Sequence, residues 1–221
     1  MKRVLRTGVI LFAVAMLAVS VPALAKPVKV TAYQSMVHKG AKGDTEIEGG
    51  LEIEYDDIVI TADRATMNMD AGIAKLAGKV SLVQKDVTIN CDSMDLDIKK
   101  KTATVAGSVR LQKRETQAEK DETGKPKVSV ITLTCARMEI FTNTQDFHAS
   151  GSVSMVRDKQ RARADEASYT SSEKVLILTG SVFIEGENKE TIKCDRAELH
   201  TDQTMLAAEG AKMEITFEIE E

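Results

Sequence analysis

Rings are scarce in this chain: aromatic residues are 4% of 221, with five Phe, three Tyr and no Trp. Any core must therefore be filled by slim side chains, and 10 Met with many β-branched residues supply them. Cysteine is scarce too, and three is an odd number, which excludes a fully paired disulfide scaffold. The three histidines, His38, His148 and His200, have neither zinc-site nor nucleophile–base spacing. A basic excess is also lacking: 30 Lys and Arg stand against 34 Asp and Glu. That excludes the cationic face on which a nucleic-acid binder displaces counterions. Finally, no apolar run beyond the first 25 residues approaches transmembrane length.

Those first 25 residues have the anatomy of a signal peptide. Lys2, Arg3 and Arg6 precede an apolar run from Gly8 to Val19, and Ala23-Leu24-Ala25 offers a small-x-small cleavage site. Cleavage after Ala25 is expected, giving an exported domain, Lys26 to Glu221, of formal net charge −7. A retained N-terminal anchor is the alternative.

The remainder is repetitive. Glycine followed by alternating apolar residues recurs at Gly50, Gly78, Gly107, Gly151, Gly180 and Gly210, at intervals of 28, 29, 44, 29 and 30 residues. The long interval holds "QKRETQAEKDETGKPK" (Gln112 to Lys127), a charged stretch with Gly124 and Pro126 that reads as an enlarged loop, 112–127. Between the glycines recur "IVITADRATM", "VTINCDSMDL", "ITLTCARMEI", "RARADEASYT" and "TIKCDRAELH". In these the inward alternation, for example Val87, Ile89 and Cys91, slips by one and resumes at Met94 and Leu96. A period of two that slips at a fixed place marks a bend, with glycine permitting a matching bend in the partner strand. Each repeat thus reads as two bent antiparallel legs, with turns at Gln84-Lys85-Asp86 and Lys99-Lys100-Lys101. Val28 to Met36 adds an N-terminal leg, and "KMEITFEIE" reads as the last strand.

Cys91, Cys135 and Cys194 share one repeat position with Ala62 and Ala164. A site that accepts Cys or Ala wants a small apolar side chain. Equivalent positions lie about two strand spacings apart, too far for a bridge; a Cys91–Cys135 disulfide requires a different leg count. Asp63, Asp92, Asp165 and Asp195 each stand alone at a bend, without the facing pair a glycosidase needs or the oxygen cluster calcium needs. Accepting backbone N–H groups at the bend accounts for them. The run "RDKQRARAD" (Arg157 onward) reads as a solvated turn and strand face, with phosphate contact as the alternative.

The tandem "G-x-V-x-L" and "I-x-A/C-D-x-A/M" legs, carried best by Ala77 to Val109, resemble the LptA/OstA-like family of periplasmic lipopolysaccharide-transport proteins. The resemblance implies an all-β, elongated, V-shaped open β-jellyroll over 26–221. It further implies a carrier without catalytic residues, metal or cofactor, located in the periplasm. Lipid A acyl chains would lie between the two sheets, and copies would stack head-to-tail on one another or on related jellyroll domains, meeting membranes only through partners. The departures are the Gln112–Lys127 insertion and Tyr33 and Ala136 at corner positions.

The inward, lipid-facing candidates are Ile60, Met67, Val80, Leu82, Ile89, Met94, Leu96, Val109, Leu111, Leu133, Met138, Ile140, Val153, Met155, Val182, Ile184 and Leu199. The edge-strand candidates are Val28, Val30, Met213, Ile215 and Phe217. Two other readings remain: a membrane-anchored LptC-like component of the same transport system, and a non-lipid exported β-repeat module with a closed core.

Overall fold

The structure, a computed structural model, describes residues 28–39, 44–68, 70–120, 124, 126–200 and 206–216. The expected signal peptide with its Ala25 cleavage site, and Phe217, lie outside the described residues. Among the described residues fourteen strands form one antiparallel sheet: β1 (Lys29–Ala32), β2 (Ser35–His38), β3 (Thr45–Tyr55), β4 (Ile58–Asn68), β5 (Ile73–Gln84), β6 (Val87–Asp97), β7 (Thr102–Lys120), β8 (Pro126–Phe141), β9 (Asp146–Arg157), β10 (Gln160–Thr170), β11 (Val175–Glu185), β12 (Thr191–His200), β13 (Leu206–Glu209) and β14 (Glu214–Thr216). No helix occurs among the described residues.

From β3 to β12 every strand pairs with its neighbours in sequence, as tandem hairpins demand. The first and last legs are each broken in two. β1 and β2 share the outer side of β3, and β13 and β14 share that of β12.

The bend recurs in every central pair as a register shift at the glycine. Between Ala77↔Ser93 and Val80↔Cys91, the two residues Gly78 and Lys79 oppose the single Asp92. That is a β-bulge, and both bulged residues have positive φ, 78° and 47°. Gly107-Ser108, Gly151-Ser152 and Gly180-Ser181 repeat it. In β3 the bulge is Gly49-Gly50, so Gly49 rather than Gly50 holds the equivalent place. The correction makes the first interval 29 residues, like its neighbours.

The bulges fold the sheet on itself, so each strand contributes to two walls. The first wall carries Ile47, Leu76, Val105 and Leu178 before the bulges; the second carries Ile53, Leu82, Leu111 and Ile184 after them. Both sets belong to a single core, with Leu82 packed on its margin, which makes the molecule an elongated open β-jellyroll.

The loop expectation is corrected. The segment 112–127 is not an enlarged loop: β7 runs on to Lys120 and β8 begins at Pro126, paired through Arg114↔Val130, Glu115↔Ser129 and Thr116↔Val128. A hairpin ladder needs no buried face, so this ribbon forms where apolar alternation has stopped. Of the expected last strand, Lys212 to Glu220, the described part contains β14, and 217–220 lie outside the described residues. β13 and β14 pair with opposite halves of β12, and Gly210 to Met213 lie between them.

Candidate functional site

The interior between the walls is built row by row. Residues directly opposite in the ladder share a face, so the strand register gives each row. Next to the bulges, pairs alternate large with small: Leu51↔Ala62, Val80↔Cys91, Val109↔Cys135, Val153↔Ala164 and Val182↔Cys194. This explains the Cys/Ala position, since a larger side chain there would collide with its Val or Leu partner where the walls converge. All three thiols are free and buried. Burial raises the pKa of Cys91 and Cys135 to about 11 and pushes Cys194 upward as well.

Of the expected inward residues, Val80, Ile89, Val109, Leu111, Leu133, Val153, Met155, Val182 and Ile184 are buried on the second wall together with Ile60. Met67, Met94, Met138, Ile140 and Leu199 are buried on the first. Leu82 and Leu96 are only half-buried and pack at the margin of the core. The interior is therefore occupied by its own side chains along its length.

Sequence reading passed over Phe147 and Tyr169, buried aromatics stacked with ring centroids 5.8 Å apart. It also passed over Ile47, Leu76, Val105, Leu176 and Leu178. The signal was present, because residues two and four before each bulge glycine face inward: Ala74 and Leu76, Ala103 and Val105, Phe147 and Ala149, Leu176 and Leu178.

At the corners, a side chain of the preceding segment covers each bulge glycine, and in three cases it is a carboxylate. Asp63 lies on Gly78, Asp92 on Gly107 and Asp165 on Gly180, while Ala136 covers Gly151 and Gln34 takes the place over Gly49. Asp195 also accepts the Ala211 N–H at 2.9 Å, the role expected of these aspartates. Among the described residues no three His, Cys, Asp or Glu side chains gather as a metal site.

The outermost strands differ from the inner ones. All four residues of β2 and all three of β14 are exposed, with Met36 at 46% and Ile215 at 55%. Val28 and Met213 are exposed as well, whereas Val30 is half-buried against the core. Ion pairs hold these short strands to the sheet: Lys29–Glu54 at 2.6 Å and Lys193–Glu214 at 3.1 Å.

Among solved structures, the chain is similar to LptH, described as the LptA homologous periplasmic component of the lipopolysaccharide transport device from Pseudomonas aeruginosa. Identity is 13%, coverage is 73% of this chain and 95% of that one, and the TM-score is 0.34. That likeness is too loose to transfer curvature or contacts. No curated protein sequence matches the chain. The family model for the LptA/(LptD N-terminal domain) LPS transport protein matches residues 59–205, two thirds of the sequence and nearly all of the repeat. The chain belongs to the LptA/(LptD N-terminal domain) family of lipopolysaccharide-transport proteins.

Proposed function

We propose that the protein is a periplasmic lipopolysaccharide carrier that shields acyl chains between its two walls on the way from inner to outer membrane. One observation carries this reading: a single apolar interior runs without interruption from β3 to β12. Burying an acyl CH₂ stabilises by ~0.8 kcal/mol, so a chain of about a dozen gains on the order of 10 kcal/mol. Because resident side chains fill the interior, lipid enters by spreading the walls. The Met-rich first wall, with Met67, Met94 and Met138, suits such repacking.

Head-to-tail assembly follows from the ends. β2 and β14 present exposed apolar side chains and backbone edges unpaired among the described residues, which a second copy or a related jellyroll can extend by strand addition.

The test is photo-cross-linking in cells from Ile89 or Leu133. Capture of lipopolysaccharide supports the carrier; silence at every inward position sinks it and leaves a closed structural module. N-terminal sequencing that starts at Lys26 supports the soluble form over an anchored one.

A further inference from the structure

The two walls do not end alike at the mouth. On the first wall the outermost inward row is Leu96, Ala103, Ile140, Phe147, Tyr169 and Leu176, each directly opposite the next. It contains no charge. On the second wall the corresponding row runs Gln84, Val87, Lys113, Ile131, Arg157 and Gln160. Lys113 and Arg157 therefore share a face with the buried Val87 and Ile131. Both are half-buried, whereas Arg114 and Val156 beside them are exposed. In the same row Gln84 is 5% exposed, and its Oε1 is a buried acceptor without a partner among the described residues, although its Nε2 donates to Asp57 Oδ1 at 3.1 Å. Asp158, in the turn after Arg157, has its carboxylate engaged by the Ser129 hydroxyl at 2.8 Å.

We propose that this rim holds the phosphate-bearing head group of the amphiphile whose chains enter the interior, Lys113 and Arg157 taking phosphate and Gln84 a head-group hydroxyl. The inference rests on the carrier reading and adds an orientation to it. Both cations sit in a row otherwise made of apolar and amide side chains, about two strand spacings or ~10 Å apart. Their stems lie along the apolar wall while their heads reach the mouth. Ammonium and guanidinium groups donate several hydrogen bonds to phosphate oxygens, and the orphaned Gln84 acceptor needs a hydroxyl or amide donor. An acyl chain inserted between the walls thus leaves its anionic head against the second wall, whose inward row carries charge where that of the first does not.

The experiment measures binding of diphosphoryl lipid A, monophosphoryl lipid A and the uncharged probe N-phenyl-1-naphthylamine to the purified protein. The variants are Lys113→Gln, Arg157→Gln, their combination, Lys113→Arg and, as an outer-face control, Lys75→Gln. Each lost cation is expected to weaken diphosphoryl lipid A about fivefold. The combination should erase the preference for two phosphates over one, while probe uptake and melting temperature hold and Lys113→Arg binds as the wild type. Inorganic phosphate should displace no more lipid than sulfate at equal ionic strength. Wild-type affinity for diphosphoryl lipid A in the double variant overturns the assignment while leaving the carrier intact. Displacement by inorganic phosphate does the same, since it would mark a site for the free anion. Failure of the wild type to take up lipid or probe removes the carrier reading and this proposal with it.

Discussion

Asp92 is packed so closely on Gly107 that a Cβ built there would lie 2.7 Å from the Cβ of Asp92, at a φ of +76°. Gly107→Ala therefore meets both strain and collision. It should lower unfolding free energy by about 2–3 kcal/mol in urea titration. Asp92→Ala should not fully rescue it: Oδ2 and Cγ, which also obstruct, would go, but Cβ at 2.7 Å stays. The existing pair shows this: Ala136 already lies 2.6 Å from a Cβ built on Gly151. Gly124→Ala, with φ +80° but nothing within 4 Å, should cost only about 1 kcal/mol.

The thiols should behave as core atoms. Iodoacetamide near pH 8 should label Cys91 and Cys135 only once the chain is unfolded, since burial holds them protonated. Their folded pKa of about 11 lies above the ordinary 9.0. Below pH 9 both states keep the proton and no stability depends on it. As pH rises from 9 toward 11 the unfolded chain releases its protons first, so stability falls. The urea midpoint should drop across that window, and by less in a Cys91→Ala, Cys135→Ala variant. Each such substitution should itself cost no more than about 1 kcal/mol, as Ala62 and Ala164 already fill the equivalent sites.

Interior truncation should separate filled from marginal positions. Ile89→Ala, at a site with 0% exposure, should cost about 2–4 kcal/mol, and the half-buried Leu82→Ala about 1–2. Equal losses would mean that the margin at Leu82 is as tightly packed as the centre.

The proposed end-to-end contact has its own readout. Cross-linkers at Val30 and Ile215 should join two copies at high concentration. Ile215→Lys or Met36→Lys should reduce self-association in sedimentation without shifting the melting temperature, both side chains being exposed in one copy. Unchanged association in both variants would refute assembly through these strands.

Repeats made most of the fold legible. Alternation and the one-residue slip located the turns at Lys85-Asp86 and Lys99 to Lys101, and the bends at Cys91-Asp92 and its equivalents. What escaped was governed by forces that leave no such mark. The β7–β8 ribbon is held by backbone ladder bonds that need no apolar side chains on the β7 side, so Gln112 to Lys120 resembled loop. Gly49 and Gly50 are indistinguishable by composition, and only register decides which begins the bulge. Most inward residues followed from period two, but Leu82 and Leu96 lie at the mouth, which depends on how the walls close. The cationic rim was half-visible: Arg157 stood in a noted basic run, yet its face is fixed by pairing with Ile131.

The bulge that recurs in the odd strands from β3 to β11 also sets a scale. Because strands β4 to β11 pair only with their sequence neighbours, the molecule is a stack whose cross-section does not change with its length. Twelve strands along the sheet path at about 4.8 Å each span roughly 50 Å. Removing the repeat from Gly78 to Ala106 would shorten that span by ~10 Å and leave the cross-section intact. Copy number of the repeat is thus a ruler, on which reach can be lengthened or trimmed in fixed increments without redesigning what lies inside.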